Sequence, residues 1–208
     1  MKKYLIIITL TFLSLTTFSQ EEQTKQKIGK YEFSMELGLL QSLRSPNTYY
    51  YSSYSSFYPS SQLGDTFVAG SIGLSNGIRL NNGLYLGFVT GSDFLNVQMI
   101  PVLAELKYDF SKNSLTPYLQ GQLGSSIALN LNQNQASTYS DAEWKGGFLG
   151  TLGFGVKKNL KQAALSFGLN YRYQKIYYTI KYNESNTSYE ETEYTMNRIM
   201  VKFALTFE

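Results

Sequence analysis

Alternating apolar and polar residues between Thr195 and Phe207 give the clearest structural signal in the sequence. A period of two residues is typical of a β-strand, whose side chains point to opposite faces in turn. Arg198 and Lys202 lie on the polar face of this segment. The segment is long enough to cross a bilayer at a tilt, which takes roughly 9–11 residues. The apolar face consists of Ile199, Val201, Phe203, Leu205 and Phe207.

The same alternation recurs along the chain and predicts eight strands. No segment after the first 19 residues has the period of a helix. Pro117 begins its strand, a position where a missing N–H is tolerated. The predicted strands are Lys30–Leu40, Asp65–Leu80, Leu84–Gly91, Met99–Phe110, Pro117–Asn130, Gly146–Val156, Ala163–Tyr177 and Thr195–Phe207.

The predicted connections alternate between short and long. The short turns are Asn81–Gly83, Ser111–Thr116 and Lys157–Gln162, and the long polar loops are 41–64, 131–145 and 178–193. Ser92–Gln98 is intermediate. Small outer-membrane barrels have short periplasmic turns and longer external loops. The sequence therefore predicts an all-β, eight-stranded antiparallel up-and-down transmembrane barrel with its long loops outside the cell.

The first 19 residues have the pattern of a cleaved secretory signal peptide. Lys2 and Lys3 precede the apolar run Tyr4–Leu15, and Thr17 and Ser19 are small residues at the expected cleavage site. We expect residues 20–29 to be a polar lead-in and residues 30–208 to form the barrel. This organisation predicts that the mature chain leaves the cytosol for the cell outer membrane of a Gram-negative bacterium.

The composition favours a membrane barrel over a soluble one. Charged residues make up 16% of the chain, against about 25% in an average soluble domain. The polar strand faces are mostly Gly, Ser, Thr, Gln and Asn, which suits a crowded interior. A soluble lipocalin-like barrel with an apolar ligand site has the opposite polarity and remains the less favoured alternative. The net charge of +3 is small and indicates no nucleic-acid partner.

Charged residues on the polar faces predict an ionic network in the barrel lumen. Side chains just fill the interior of an eight-stranded barrel, and buried charges must be paired. The alternative is a narrow porin-like channel for ions or small solutes. The predicted network consists of Glu36, Glu105, Lys107, Arg172, Arg198 and Lys202.

Aromatic residues predict two further surfaces. A girdle at the periplasmic membrane interface would contain Tyr31, Phe33, Tyr108, Phe110 and Phe207. A surface-contact patch in the first long loop would contain Tyr49, Tyr50, Tyr51, Tyr54, Phe57 and Tyr58, since Tyr and Ser provide adaptable contact surface. The alternative for the loop is a segment that only lies among lipopolysaccharide sugars.

The residue types argue against catalysis. The chain has no His and no Cys, whereas the known lipid-modifying and proteolytic barrels need a His as base or activator. Asp141 and Glu143, and the acids Glu190, Glu191 and Glu193, fall in predicted loops and are interpreted as solvated groups rather than metal ligands. We therefore expect no catalytic residue, no metal and no cofactor.

Three segments carry a resemblance of the whole mature chain to a known family. They are MIPVLAELKYDF at Met99–Phe110, TPYLQGQLG at Thr116–Gly124 and the final VKFALTF. The mature chain resembles the outer-membrane β-barrel domain family of Bacteroidota, which is similar in size to small OmpX/OmpA-type barrels. The resemblance implies outer-membrane lipid and lipopolysaccharide as surroundings. It also implies recognition of Phe203, Leu205 and Phe207 by the barrel-assembly machinery. An extracellular ligand would be contacted through the loops.

Overall fold

Eight antiparallel strands form the molecule in a computed structural model, which describes residues 29–43, 68–95, 97–111, 113–129, 140–160, 163–182 and 189–207. The predicted signal peptide and the aromatic loop patch lie outside these residues. The strands are β1 (Gly29–Ser42), β2 (Val68–Leu80), β3 (Leu84–Phe94), β4 (Gln98–Asp109), β5 (Leu115–Leu129), β6 (Ser140–Asn159), β7 (Ala163–Tyr182) and β8 (Tyr189–Phe207). No helix in the described ranges is long and apolar enough to span a membrane.

Each strand pairs with its neighbours in sequence, and β1 also pairs with β8. The sheet is therefore a closed up-and-down barrel, which has no free edge along the paired region. The closing pairs run from Phe33 opposite Phe207 to Ser42 opposite Arg198. The fold class predicted from the alternation is confirmed. We call the end with the short β2–β3, β4–β5 and β6–β7 connections the turn end, and the opposite end the loop end.

The polarity of the barrel is inverted relative to a soluble protein. Large apolar side chains point outward and are 36–62% exposed, whereas most buried side chains are polar or charged. The alternation predicted these faces correctly, because successive strand residues must point to opposite sides of the sheet. The apolar belt, as we call the outward band, includes Leu37, Leu39, Ile72, Leu74, Leu86, Phe88, Val102, Leu106, Leu119, Leu123, Leu152, Phe154, Leu165, Phe167, Leu169 and Phe203.

Several predicted strand ends were wrong at the loop end. β6 begins at Ser140 rather than Gly146, β7 continues to Tyr182 rather than Tyr177, and β8 begins at Tyr189 rather than Thr195. Parts of the predicted loops 131–145 and 178–193 are therefore strand. Outside a lipid-facing belt both strand faces can be polar, so the alternation that marks a strand disappears although backbone pairing continues.

Smaller differences affect the other connections. β3 continues to Phe94 and β4 begins at Gln98, so most of the predicted Ser92–Gln98 loop is strand. β6 continues to Asn159, which lies in the predicted Lys157–Gln162 turn. β1 starts at Gly29 and reaches Ser42. Gly83, with φ of 89°, forms the tight β2–β3 turn, as expected for a residue without a β-carbon.

The three long strands form an extension beyond the barrel rim. β6, β7 and β8 have 20, 20 and 19 residues, whereas β1–β5 have 11–15. Pairing of β6 with β5 ends at Phe148, and pairing of β8 with β1 ends at Arg198. A β-bulge lies between Gly146 and Leu149. We call residues 140–147, 175–182 and 189–196 the β6–β8 extension.

Candidate functional site

The middle of the lumen holds four alternating charges. Lys202 Nζ lies 2.8 Å from Glu36 Oε1 and 3.9 Å from Glu105 Oε1, and Lys107 Nζ lies 3.6 Å from the same Glu105 oxygen. Two carboxylates and two ammonium groups balance in charge. The geometry therefore brings together four of the six residues predicted for the lumen network, and we call them the central ionic group.

Neutral side chains complete the hydrogen bonding of this group. Ser75 Oγ donates to Glu105 Oε2 at 2.5 Å, and Gln122 Nε2 donates to Glu105 Oε1 at 3.0 Å. Lys202 Nζ also donates to Gln120 Oε1 at 2.7 Å. The Glu105 carboxylate is fully buried, and a buried carboxylate is tolerated only when such partners replace its water.

Two tyrosine rings hold the Lys107 ammonium from either side. Its Nζ lies 5.2 Å from the ring centre of Tyr85 and 5.8 Å from that of Tyr118, within the range of cation–π attraction. Tyr118 lies against Gly155 and Gly168. A β-carbon at these two positions would lie 2.6 Å and 2.5 Å from the Tyr118 side chain. Glycine on β6 and β7 is therefore what makes room for the ring.

A second ionic group lies nearer the turn end. Arg79 pairs with Glu32 and lies 2.8 Å from Asp109 Oδ2, which Lys157 Nζ approaches to 2.5 Å. All four side chains point into the lumen and are at most 13% exposed. None was assigned to the network from the sequence, although parity along β1, β2 and β4 already put three of them on the inner face. Lys157 was missed because it was assigned to a turn.

A third group lies toward the loop end. Arg172 pairs with Asp93 through both terminal nitrogens, and Ser71 Oγ donates to Asp93 Oδ1 at 2.7 Å. Asp93 was missed from the sequence because its segment was predicted to be a loop. Arg198 is 1% exposed and lies opposite Arg172 in the β7–β8 register. Arg172 and Arg198 are thus in the lumen, outside the central ionic group.

Apolar side chains also occupy part of the lumen. Val89, Leu103 and Leu149 form one buried cluster, and Leu40, Ala69 and Met200 form another, against which Leu95 packs. A cavity of about 20 Å³ lies between Glu36, Arg172 and Lys202, which is room for about one water molecule. Ionic groups and apolar clusters thus occupy much of the lumen along the described strands, as expected for an eight-stranded barrel.

Aromatic rings mark both borders of the apolar belt. At the turn end Tyr31, Phe33, Tyr108, Phe110 and Phe207 all lie on the outer face; Phe33 stacks on Phe207 with ring centres 6.5 Å apart, and Tyr108 meets Phe110 edge-on at 5.2 Å. At the loop end Phe148 and Tyr173 have ring centres 6.1 Å apart. Phe148 and Tyr173 were assigned to strands from the sequence but were not grouped as a second border, because their contact depends on the β6–β7 register.

The three residues predicted to be read during barrel assembly share the outer face of β8. Phe203 and Phe207 are exposed and Leu205 is half-buried. Phe203 contacts Phe167 on β7, with ring centres 5.0 Å apart. Recognition of these residues by the assembly machinery stays a prediction.

The β6–β8 extension carries its own aromatic cluster. The Trp144 ring centre lies 4.6 Å from that of Tyr178 and 6.1 Å from that of Tyr194. Trp144 pairs with Tyr178, and Tyr194 with the buried Ile176, so these rings continue the lumen face of the sheet. On the opposite face Lys175 Nζ lies 2.6 Å from Glu193 Oε1, and this hydrogen bond raises the pKa of Lys175.

Of the five acids considered as possible metal ligands, Glu143 and Glu193 have side chains that the structure describes. No group of three or more His, Cys, Asp or Glu side chains in the described part of the chain is arranged to hold a metal ion. The carboxylates that do come together lie in the lumen and are paired with Lys or Arg. What this arrangement can do chemically is neutralise charge inside a closed barrel.

Comparisons with known proteins support the fold. The outer membrane protein OprG from Pseudomonas aeruginosa is similar in structure, with a TM-score of 0.58 at 10% identity over 88% of this chain and 98% of that chain. Neisserial surface protein A has a TM-score of 0.55 at 14% identity over 85% and 96% of the two chains. No protein-family model and no curated protein sequence matches the chain. The chain thus has the eight-stranded barrel fold of these outer-membrane proteins, and membership of the Bacteroidota family stays a prediction.

Proposed function

We propose that the protein is a non-enzymatic barrel of the Gram-negative outer membrane that holds the β6–β8 extension and the long loops at the cell surface. The observation that carries this proposal is the inverted polarity of the barrel. Its exposed face is an apolar belt bordered by aromatic rings, and its interior is a series of ion pairs. Such an exterior is suited to contact with the hydrocarbon core of a bilayer.

The side chains in the lumen favour a role at the surface rather than transport. A porin-like channel needs a continuous aqueous path, whereas the described lumen contains the three ionic groups and two apolar clusters. A soluble ligand-binding barrel needs an apolar interior, which these charges contradict. The expected surroundings are outer-membrane lipid and lipopolysaccharide, and the barrel-assembly machinery is the expected partner during insertion.

Among the described residues, the β6–β8 extension forms the surface best suited to contact an extracellular ligand. Trp and Tyr supply large contact area with few rotatable bonds and are enriched at binding hot spots. Trp144 and Tyr178 are only half-buried, so they retain area for contact. The aromatic segment Tyr49–Tyr58 would add to this surface and stays a prediction outside the described residues.

Cysteine labelling of intact cells tests the proposed orientation, since the chain has no native cysteine. Lys145→Cys introduces a thiol in the extension and Ser114→Cys introduces one at the turn end, and both native side chains are exposed. We expect a membrane-impermeant maleimide to label the first variant on intact cells. It should label the second only after lysis. Labelling of Ser114→Cys alone, or of both variants equally, on intact cells would contradict the orientation.

A further inference from the structure

The cavity in the lumen lies between the central ionic group and the Arg172–Asp93 pair. Glu36 and Lys202 line it on one side, Arg172 on another, and Gly73, Val89 and Leu103 complete much of its wall. Its volume of about 20 Å³ exceeds the roughly 10–15 Å³ that a water molecule needs. It is too small for a solute larger than water.

Two polar atoms of opposite hydrogen-bonding type belong to the residues that line this cavity. Arg172 Nε is buried and has no hydrogen-bond partner among the described residues, because the Asp93 contacts use the two terminal nitrogens. Glu36 accepts from Lys202 through Oε1. Its other oxygen, Oε2, is directed toward Gly73, where an added β-carbon would lie 3.6 Å from it. One atom can only donate and the other can only accept.

We infer that this cavity is a binding site for one structural water molecule. The water accepts a hydrogen bond from Arg172 Nε and donates one to Glu36 Oε2. A buried water typically makes two to four hydrogen bonds to polar groups. Arg172 Nε, which has no partner among the described residues, supplies the donor, and Glu36 Oε2 supplies the acceptor. The water joins the central ionic group to the Arg172–Asp93 pair, so the two form one connected network across the lumen.

The direction in which Gly73→Ala changes the stability of the barrel tests whether a water molecule occupies the cavity. The added β-carbon would lie 3.4 Å from Glu36 Cβ and 3.8 Å from Val89 Cγ1, which are ordinary contact distances, so the methyl group fits and displaces the water. Arg172 Nε is then left buried without a partner among the described residues, and Glu36 Oε2 loses the hydrogen bond from the water. Because an unsatisfied buried polar group is costly, we expect the equilibrium constant for unfolding in lipid vesicles to rise at least about tenfold.

Gly121→Ala is the matched control, because it lies on the outer face of β5 and an added β-carbon there meets no atom within 4 Å. It reports what replacing a strand glycine does by itself. If the cavity is dry, Gly73→Ala fills it with new apolar contacts and is at least as stable as Gly121→Ala. That result would overturn the inference.

If Gly73→Ala does not fold, a crystal structure of the unmodified protein tests the presence of the water directly. We expect density for one water within hydrogen-bond distance of both Arg172 Nε and Glu36 Oε2. Soaking the crystals in bromide distinguishes a bound halide from water, because a bromide ion in the cavity would give an anomalous peak. An empty cavity or a bromide peak at this position would contradict the assignment.

Discussion

Replacing Lys202 with methionine is expected to destabilise the barrel by about 3–5 kcal/mol, the usual effect of breaking a buried ion pair from one side. Lys202 is 2% exposed and lies within 4 Å of two carboxylates. Methionine has a similar shape and no charge, so Glu36 and Glu105 would retain only Lys107 as a cation in their group. The urea concentration at which the folded band disappears from an unboiled gel measures the effect in lipid vesicles.

A second substitution separates charge balance from packing. In the double variant Lys202→Met, Glu36→Gln, one carboxylate and one ammonium remain in the central ionic group. We expect the double variant to recover much of the lost stability. Lys175→Met is the control at an exposed pair, because Lys175 and Glu193 face solvent, and exposed pairs contribute little. Unchanged stability of Lys202→Met, or a double variant no more stable than the single one, would contradict the proposed charge balance in the central ionic group.

Placing arginine in the apolar belt gives the second large effect. Leu123 and Leu115 lie on the outer face of β5 and are both 59% exposed. Leu123 is near the middle of the belt, whereas Leu115 begins the strand at the turn end. In a bilayer, Leu123→Arg should cost about 2–4 kcal/mol, and Leu115→Arg about 0–1 kcal/mol, because the cost of charge depends on depth.

This pair of variants also distinguishes the two kinds of barrel. In a soluble barrel both leucines would face water, and arginine would be tolerated equally at the two positions. The comparison needs only the difference in unfolding free energy in the same vesicles. Equal stability of the two variants would mean that the belt does not face hydrocarbon.

The sequence predicted the barrel because the information for it is local. Alternation along β1, β4 and β8 assigns every residue to the inner or outer face without knowledge of the pairing. Glu36, Glu105, Lys107 and Lys202 were therefore correctly expected to lie inside. Alternation did not identify the strand segments beyond the belt that contain Trp144 and Tyr178, because neither face of these segments is continuously apolar.

The partners within the lumen could not be predicted in this way. Lys202 meets Glu36 across the β8–β1 closure, 166 residues apart in the chain, and this contact depends on the register in which the barrel closes. Arg172 and Asp93 likewise face each other across the lumen from β7 and β3. The space for Tyr118 against Gly155 and Gly168 also follows from three-dimensional packing rather than from spacing along a strand.

The most direct test of the account is the mobility of the protein on an SDS gel, with and without boiling, after isolation of the outer membrane. A closed barrel embedded in the membrane is expected in this fraction, and its unboiled band should migrate apart from the boiled one, because the folded barrel resists detergent. Recovery in the soluble periplasmic fraction with a single band under both conditions would contradict a lipid-facing barrel.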